Sequence, residues 1–185
     1  FFKKYSQKQF YLAGSPSYNS NGTITLGTAE SGRKIVLLNL NTFDPNNKAS
    51  VKEILHTIHH EFGHVLHQNI AFTVDFQRIS AGDYIATWFN FSNAEARALG
   101  FITSYSRSNK DDDFVETLAS LLVDGDAGYN AVINNLFIME GAFIKRNGKG
   151  IYEQNTIART KLIAKRQIVT DYLKNEYGIN LAELQ

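Results

Sequence analysis

The sequence contains no cysteine, which excludes disulfide bonds and thiolate metal ligands. Any bound metal ion must therefore be held by nitrogen and oxygen atoms. No apolar run approaches the ~20 residues of a membrane-spanning helix, and no signal peptide is visible. An excess of one charge is also lacking, because 19 basic and 18 acidic residues leave a net charge of +1. Without a concentrated positive field, nucleic-acid binding is not expected.

What is present fits one folded domain. The length of 185 residues is enough to bury a core, and 43% of the residues are hydrophobic. No repeat, low-complexity tract or linker divides the chain, so we expect a single domain over residues 1–185. The chain begins at Phe1 without a methionine, which suggests a truncated or processed chain.

The pattern of apolar and turn residues predicts an α+β fold. Residues 1–47 are predicted to be rich in strands, including 23–28 and 33–41, and residues 100–105 could also be extended. Four helices are predicted, over 50–69, 111–125, 129–146 and 151–177. For the first of them, Ser50 is the candidate N-cap, with Glu53 completing a capping box.

All five histidines lie within twelve residues of the first predicted helix, and they include a metal-binding pattern. Residues 60–64 read HEFGH, which is the HExxH motif. On a helix, His60 and His64 lie one turn apart, so their imidazoles can converge on one ion at ~2.0–2.1 Å. Glu61 lies about 100° further round the axis. From there it can act as a general base towards a water molecule whose pKa the metal lowers.

The remaining histidines have two open interpretations. By helical geometry, His56 and His67 fall near the same face as the motif, so His67 could support the site or contact substrate. The alternative is that they are packing or surface histidines, and this applies still more to His59.

Two histidines leave a catalytic zinc site one protein ligand short. No histidine remains further along the chain, so a carboxylate is the natural third ligand. The predicted helix from residue 111 offers Asp111, Asp112, Asp113 and Glu116. Asp112 and Glu116 share a face, so one could bind the metal while the other orients a ligand histidine. The alternative is an acidic helix start that only complements the helix dipole.

The motifs resemble those of known metallopeptidases. HEFGH followed by Tyr105 and by DDFVE at 112–116 resembles the gluzincin peptidases of the anthrax lethal factor type. A closer similarity is to the substrate-import-associated zinc metallohydrolase lipoproteins of Bacteroidetes. That family has an HHEF-containing helix, a glycine-led strand with a tyrosine, and an EDFAE-like helix. The similarity extends to residues 23–29 and 33–37.

The resemblance implies a role for each matching residue. His60, His64 and Asp112 would bind Zn²⁺, Glu61 would be the base, and Glu116 would be the carboxylate behind the ligands. Tyr105 would face the oxyanion that develops in the transition state. Asp112 replaces the usual glutamate and is one methylene shorter, so either the backbone moves closer or Glu116 takes the ligand position.

Two functions follow as expectations. The first is a zinc-dependent hydrolase of a peptide or protein substrate. Its zincin-like fold would have a small N-terminal sheet on the active-site helix and a helical C-terminal lobe. The strand over 34–40 would offer its edge to an extended substrate. The second is a non-catalytic accessory protein that binds glycan or protein partners.

The resemblance also implies a place for the protein in the cell. It implies an outer-membrane lipoprotein or periplasmic protein of the cell envelope, beside nutrient-uptake proteins. Membrane attachment would come only through a lipid anchor that this chain does not contain.

Overall fold

A computed structural model describes residues 9–140, 143–149 and 153–183. It confirms the predicted α+β fold, in which a small N-terminal sheet packs against the first long helix and helices form most of the rest. Within these ranges, no helix has the length and apolar character needed to cross a membrane.

The strands of the described residues are short and form three separate sheets. In chain order they are β1 (Gln9–Leu12), β2 (Ser17–Tyr18), β3 (Ile24–Thr25), β4 (Gly27–Glu30), β5 (Lys34–Leu37), β6 (Met139–Glu140) and β7 (Phe143–Ile144). The main sheet has the order β1-β5-β4, with β1 parallel and β4 antiparallel to β5. β2 pairs with β3, and β6 pairs with β7, both antiparallel.

The described residues include short 3₁₀ turns at Leu40–Thr42, Trp88–Asn90 and Leu181–Glu183. Five α-helices and one further 3₁₀ turn are more important for the site. They are α1 (Lys48–Asn69), α2 (Val74–Ile79), α3 (Asn93–Ala98), a 3₁₀ turn (Tyr105–Arg107), α4 (Lys110–Asn134) and α5 (Thr156–Tyr177). α5 ends at Tyr177, as predicted, because Gly178 adopts a left-handed φ of 66°. α1 and α4 are the most extensively packed pair of elements.

A glycine of the HExxH motif allows α1 and α4 to approach each other closely. A Cβ atom on Gly63 would lie 2.8 Å from Cγ1 of Val115, which is too close for any larger residue without movement. Around this contact the main core is almost entirely helical and includes the fully buried Phe114 and Leu118 of α4. The contact sets the distance between the two helices that carry the candidate site.

A buried ion pair joins α4 to α5. Nζ of Lys165 lies 2.7 Å from Oδ2 of Asp113, and neither side chain is exposed to solvent. Lys165 also donates to the carbonyl of Gly100, and the hydroxyl of Tyr84 donates to Asp113. Burial raises the pKa of Asp113 to about 6 despite the adjacent lysine, and burial lowers the pKa of Lys165.

The predicted start of α1 was wrong. The N-cap is Asn47, whose side chain accepts from the backbone N–H groups of Ala49 and Ser50. Ser50 instead accepts from the backbone N–H of Asp44, so it fixes the preceding loop and not the helix end. Both Asn and Ser are good caps, and the turn at residues 44–47 decides between them.

Other predicted elements also differ from the structure. The predicted strand over 23–28 is split between two sheets, and the strand predicted over 33–41 ends at Leu37. Residues 100–105 form bends and the start of a 3₁₀ turn, so no strand is present there. The predicted helix over 129–146 was wrong, because α4 continues through a kink at Gly125 to Asn134 and β6 and β7 follow. Its residues 141–142 lie outside the described residues, as do residues 151–152 of the last predicted helix.

The hypothesis that residues 34–40 offer a strand edge was also wrong. β5 is the central strand of the sheet, and both of its edges are already paired. Within the described residues, β4 pairs with β5 alone, so the sheet edge without a strand partner on the side of α1 is the edge of β4.

Candidate metal centre

α1 carries the first two groups of the candidate site. His60 and His64 lie one helical turn apart, as the motif predicts, and their Nε2 atoms are 3.1 Å apart. His60 is buried and His64 is half-buried. Both imidazoles therefore present the same nitrogen to one point beside the helix.

Asp112, in the first turn of α4, completes a triad of possible metal ligands. Its Oδ1 atom lies 3.2 Å from Nε2 of His64 and 3.7 Å from Nε2 of His60. An ion bonded tetrahedrally to three such atoms at about 2.0–2.1 Å would separate them by about 3.3–3.4 Å. The observed separations of 3.1, 3.2 and 3.7 Å bracket that value, so the three residues fit one ion of the size of zinc.

The loop before α4 fixes the orientation of the Asp112 carboxylate. Its Oδ2 atom accepts hydrogen bonds from the hydroxyl of Ser108 and from Nδ2 of Asn109, the latter at 2.7 Å. Oδ1 is thereby left pointing at the histidines. Burial would raise the pKa of Asp112, but hydrogen bonds from His60, His64 and Ser108 lower it well below its usual range. The group is therefore an anion, as a metal ligand must be.

Glu116 lies behind His60, where it contacts the ring nitrogen that does not face His64 and Asp112. Its Oε1 atom accepts from Nδ1 of His60 at 2.8 Å and from Nε2 of His56 at 2.9 Å. Its Oε2 atom accepts from the hydroxyl of Thr103 at 2.6 Å. Burial opposes the charge of Glu116, but the two histidines lower its pKa well below the usual range.

The two carboxylates create a strong preference for positive charge at His60. Burial alone would lower the pKa of His60, but hydrogen bonds to Asp112 and Glu116 raise it to about 10. The same field that favours a proton on this imidazole would favour a cation held between it, His64 and Asp112.

His64 has a different partner from that of His60. Its Nδ1 atom lies 2.8 Å from Nε2 of His67, one turn further along α1. Burial lowers the pKa of His67 to about 4, so this imidazole is neutral at physiological pH. The interpretation of His67 as a residue that supports the site therefore agrees with its position.

Glu61 lies in the wall of the cleft beside the triad. It is 5% exposed, and a Cβ atom on Gly27 of β4 would lie 2.7 Å from its Cγ atom. Burial raises the pKa of Glu61 above its ordinary value, although His60 and His64 act in the opposite direction. A carboxylate made more basic in this way is suited to accepting a proton.

A cleft beside His60 has a volume of about 290 Å³ and is lined in part by the aromatic rings of Trp88 and Tyr105. The ring of Tyr105 stacks on His60 with 5.5 Å between centroids, and Trp88 contacts Tyr105 edge-on at 4.7 Å. Burial, followed by the carboxylates of Asp112, Glu61 and Glu116, raises the pKa of Tyr105. A hydrogen bond to Asp112 acts in the same direction, so the hydroxyl remains protonated and is a hydrogen-bond donor.

The structure brings the residues singled out for the site together around His60. His60 forms the triad with His64 and Asp112, and it lines the cleft with Glu61, Tyr105 and Glu116. Among the other acids, Asp111 pairs with Lys110 and Asp113 pairs with Lys165. Sequence reasoning missed Thr103, Ser108 and Trp88. Ser108 could have been found from the sequence, because it belongs to a Ser-Asn pair just before the acidic start of the helix, where capping side chains are common.

Comparison with known proteins agrees with this geometry. A family model described as "putative zinc-binding metallo-peptidase" matches residues 1–182. A crystal structure with the same description, from Bacteroides caccae, is 27% identical with a TM-score of 0.62. The match covers 95% of this chain but only 60% of that chain, so this chain spans less than two thirds of that protein. A search of curated proteins found no match. Because the family model covers nearly the whole chain, the protein belongs to the family of that description.

Proposed function

We propose that the protein hydrolyses peptide bonds with a zinc ion held by His60, His64 and Asp112. The observation that carries the proposal is the spacing of three ligand atoms at 3.1–3.7 Å beside a buried glutamate. A triad that only bound zinc structurally would be expected to have a fourth protein ligand and no cleft. Among the described residues the candidate ligand group has three members, and one of them, His60, lines a cleft together with Glu61 and Tyr105, which leaves room for water and substrate beside the triad.

Zinc, when bound, would polarise the scissile carbonyl and lower the pKa of the attacking water. Glu61 would take the proton of that water and pass it to the leaving amine. The tight packing of Glu61 against Gly27 limits the positions its carboxylate can take, which favours a defined geometry for proton transfer. The hydroxyl of Tyr105 would donate to the carbonyl oxygen as negative charge develops on it.

The position of β4 supports an extended peptide as the substrate. Leu26 and Gly27 line the cleft together with Glu61, and within the described residues no strand pairs with the outer edge of β4, where the Ala29 carbonyl accepts from the Gln68 side chain at 3.3 Å. A peptide bound along this edge would present alternate side chains to the cleft. Amide hydrogen exchange in β4 should slow when a non-cleaved peptide analogue binds; unchanged exchange would argue against this mode.

The decisive experiment compares Glu61→Gln with a matched control on the same helix. Both the parent protein and Glu61→Gln are expected to bind one zinc ion by elemental analysis. Only the parent is expected to cleave a library of internally quenched peptides, because the amide cannot accept the proton of water. Glu53→Gln, at an exposed position of α1, should leave turnover unchanged.

Two results would contradict the proposal. Turnover retained by Glu61→Gln would remove Glu61 from the reaction. A parent protein that binds no zinc at neutral pH would instead support the non-catalytic binding module.

The location in the cell envelope beside nutrient-uptake proteins remains a prediction from the family resemblance, and fractionation of cells that express the full-length protein tests it.

A further inference from the structure

The two histidines of the proposed zinc site are supported by unlike partners. His60 donates from Nδ1 to the carboxylate of Glu116, the usual arrangement for a metal-binding histidine. His64, in contrast, meets another imidazole, with its Nδ1 atom 2.8 Å from Nε2 of His67. The ring planes of this pair are inclined at 64°, so the rings are not stacked, and the short distance between the two nitrogens is that of a hydrogen bond.

The direction of this hydrogen bond follows from the position of His64. Its Nε2 atom faces Oδ1 of Asp112 at 3.2 Å, so this is the nitrogen available to a metal ion. A neutral imidazole that binds a metal through Nε2 carries its hydrogen on Nδ1. His64 must therefore donate, and Nε2 of His67 must accept with its lone pair.

His67 is itself held by a chain of aromatic contacts that leads to the other ligand-bearing helix. Its ring meets Phe72 edge-on with 5.6 Å between centroids. Phe72 stacks on Phe114 with 4.2 Å between centroids and an angle of 5°. Phe114 is fully buried and lies two residues after Asp112 on α4. The acceptor of His64 is thus fixed relative to the helix that supplies the third ligand.

We propose that His67 is a positioning residue that orients His64 for zinc and fixes its tautomer; this rests on the proposed metal site. Without an acceptor at this place, the His64 ring can rotate about χ2 and present either nitrogen. Loss of a hydrogen-bond partner behind a ligand histidine typically weakens metal affinity about 10–100-fold. An uncharged imidazole is also a weaker acceptor than a carboxylate, so His64 is expected to be the less strongly polarised of the two ligands.

The test uses two variants that separate hydrogen bonding from packing. In His67→Phe the ring remains but the acceptor is lost, and zinc affinity should fall about 10–100-fold. In His67→Gln the amide oxygen reaches the place of Nε2 and can accept, so zinc affinity should be largely restored. Affinity is measured by competition with a chromophoric chelator, and the visible spectrum of the Co²⁺-substituted protein reports ligand geometry.

A matched control separates this effect from general changes in the helix. His59 lies on α1 and is partly buried, but makes no hydrogen bond to His60, His64 or Asp112 within the described residues. His59→Phe should leave the zinc affinity and the Co²⁺ spectrum close to those of the parent. Thermal unfolding of the metal-free variants shows whether each has folded. Metal-free His67→Phe should unfold at nearly the same temperature as the parent, and the two should differ mainly when zinc is present.

The possible outcomes distinguish this inference from the proposed function. Zinc affinity in His67→Phe equal to that of the parent would overturn the role of His67 and leave the zinc site intact. An equal loss in His67→Phe and His67→Gln would also overturn it, since packing alone would then explain the effect. A parent protein that binds no zinc would overturn the metal site itself.

Discussion

Replacement of Lys165 by methionine should destabilise the fold strongly, because it leaves a buried carboxylate without its cation. Nζ of Lys165 lies 2.7 Å from Asp113, and both side chains are fully buried. Methionine keeps the unbranched apolar part of the side chain, so little packing is lost. The hydroxyl of Tyr84 would be the remaining side-chain donor to Asp113 among the contacts described.

The expected magnitude follows from burial. Breaking a buried ion pair by removing one partner typically costs about 3–5 kcal/mol. For a protein of this size, each kcal/mol lowers Tm by about 2–4 °C, so the expected fall is roughly 6–20 °C. Burial shifts the pKa of both groups towards their neutral forms, which indicates that desolvation outweighs their attraction. The double variant Asp113→Asn with Lys165→Met should therefore recover most of the loss.

The assay is thermal and urea unfolding of the metal-free proteins, with a control from the same helix. Nζ of Lys161 also lies 2.7 Å from a carboxylate, that of Asp83, but these side chains are 23% and 35% exposed. Lys161→Met should cost only about 0–1 kcal/mol, because solvent screens the exposed pair. Comparison of the two lysines isolates the effect of burial at equal distance.

The loss in Lys165→Met should also depend on pH. Without its cation, Asp113 has a folded pKa still further above the unfolded value of about 3.9. An acid whose pKa is raised on folding contributes least to the free energy of unfolding at high pH. The stability of the variant therefore falls as pH rises from about 4 through the folded pKa of Asp113. The deficit relative to the parent should be larger at pH 8 than at pH 5. A loss that is small, or equal at both pH values, would refute the reasoning.

Three further predictions concern the site. Gly27→Ala should lower kcat with little change in zinc content or Tm, because the new Cβ would lie 2.7 Å from Cγ of Glu61 and displace it. Kinetics with zinc analysis would check this prediction, and an unchanged kcat would contradict it. Tyr105→Phe should lower kcat by about 10²–10³-fold with a smaller change in KM, since the hydroxyl would act in the transition state. Glu116→Gln should weaken zinc binding about 10–100-fold by reducing the support for His60, as measured by chelator competition; parental affinity would exclude that role.

The sequence determined the parts of this protein that depend on neighbours along the chain. The 60–64 motif predicted a helix with two imidazoles on one face, and the structure places their Nε2 atoms 3.1 Å apart. The last helix ends at Gly178 for an equally local reason. Such features follow from helical periodicity and from the left-handed conformation that glycine allows, so no distant contact is needed to set them.

Where local signals were weak or equal, prediction failed. Asn47 and Ser50 are both good caps, and the conformation of the preceding loop decided between them. Beyond Asn134 the apolar pattern fits a helix or a hairpin, and the chain forms strands there. The partner strands of β5 could not be read from its own residues, because pairing is a property of the whole sheet.

Only the tertiary structure decided what each acid of α4 does. Three consecutive residues face three environments: Asp111 pairs with Lys110, Asp112 faces the histidines, and Asp113 is buried against Lys165. Helical geometry rotates successive side chains by about 100° but does not say which of them meets α1. That direction is set by the close approach of α4 at Gly63 and by the ion pair to α5, and both contacts join residues that are far apart in the sequence.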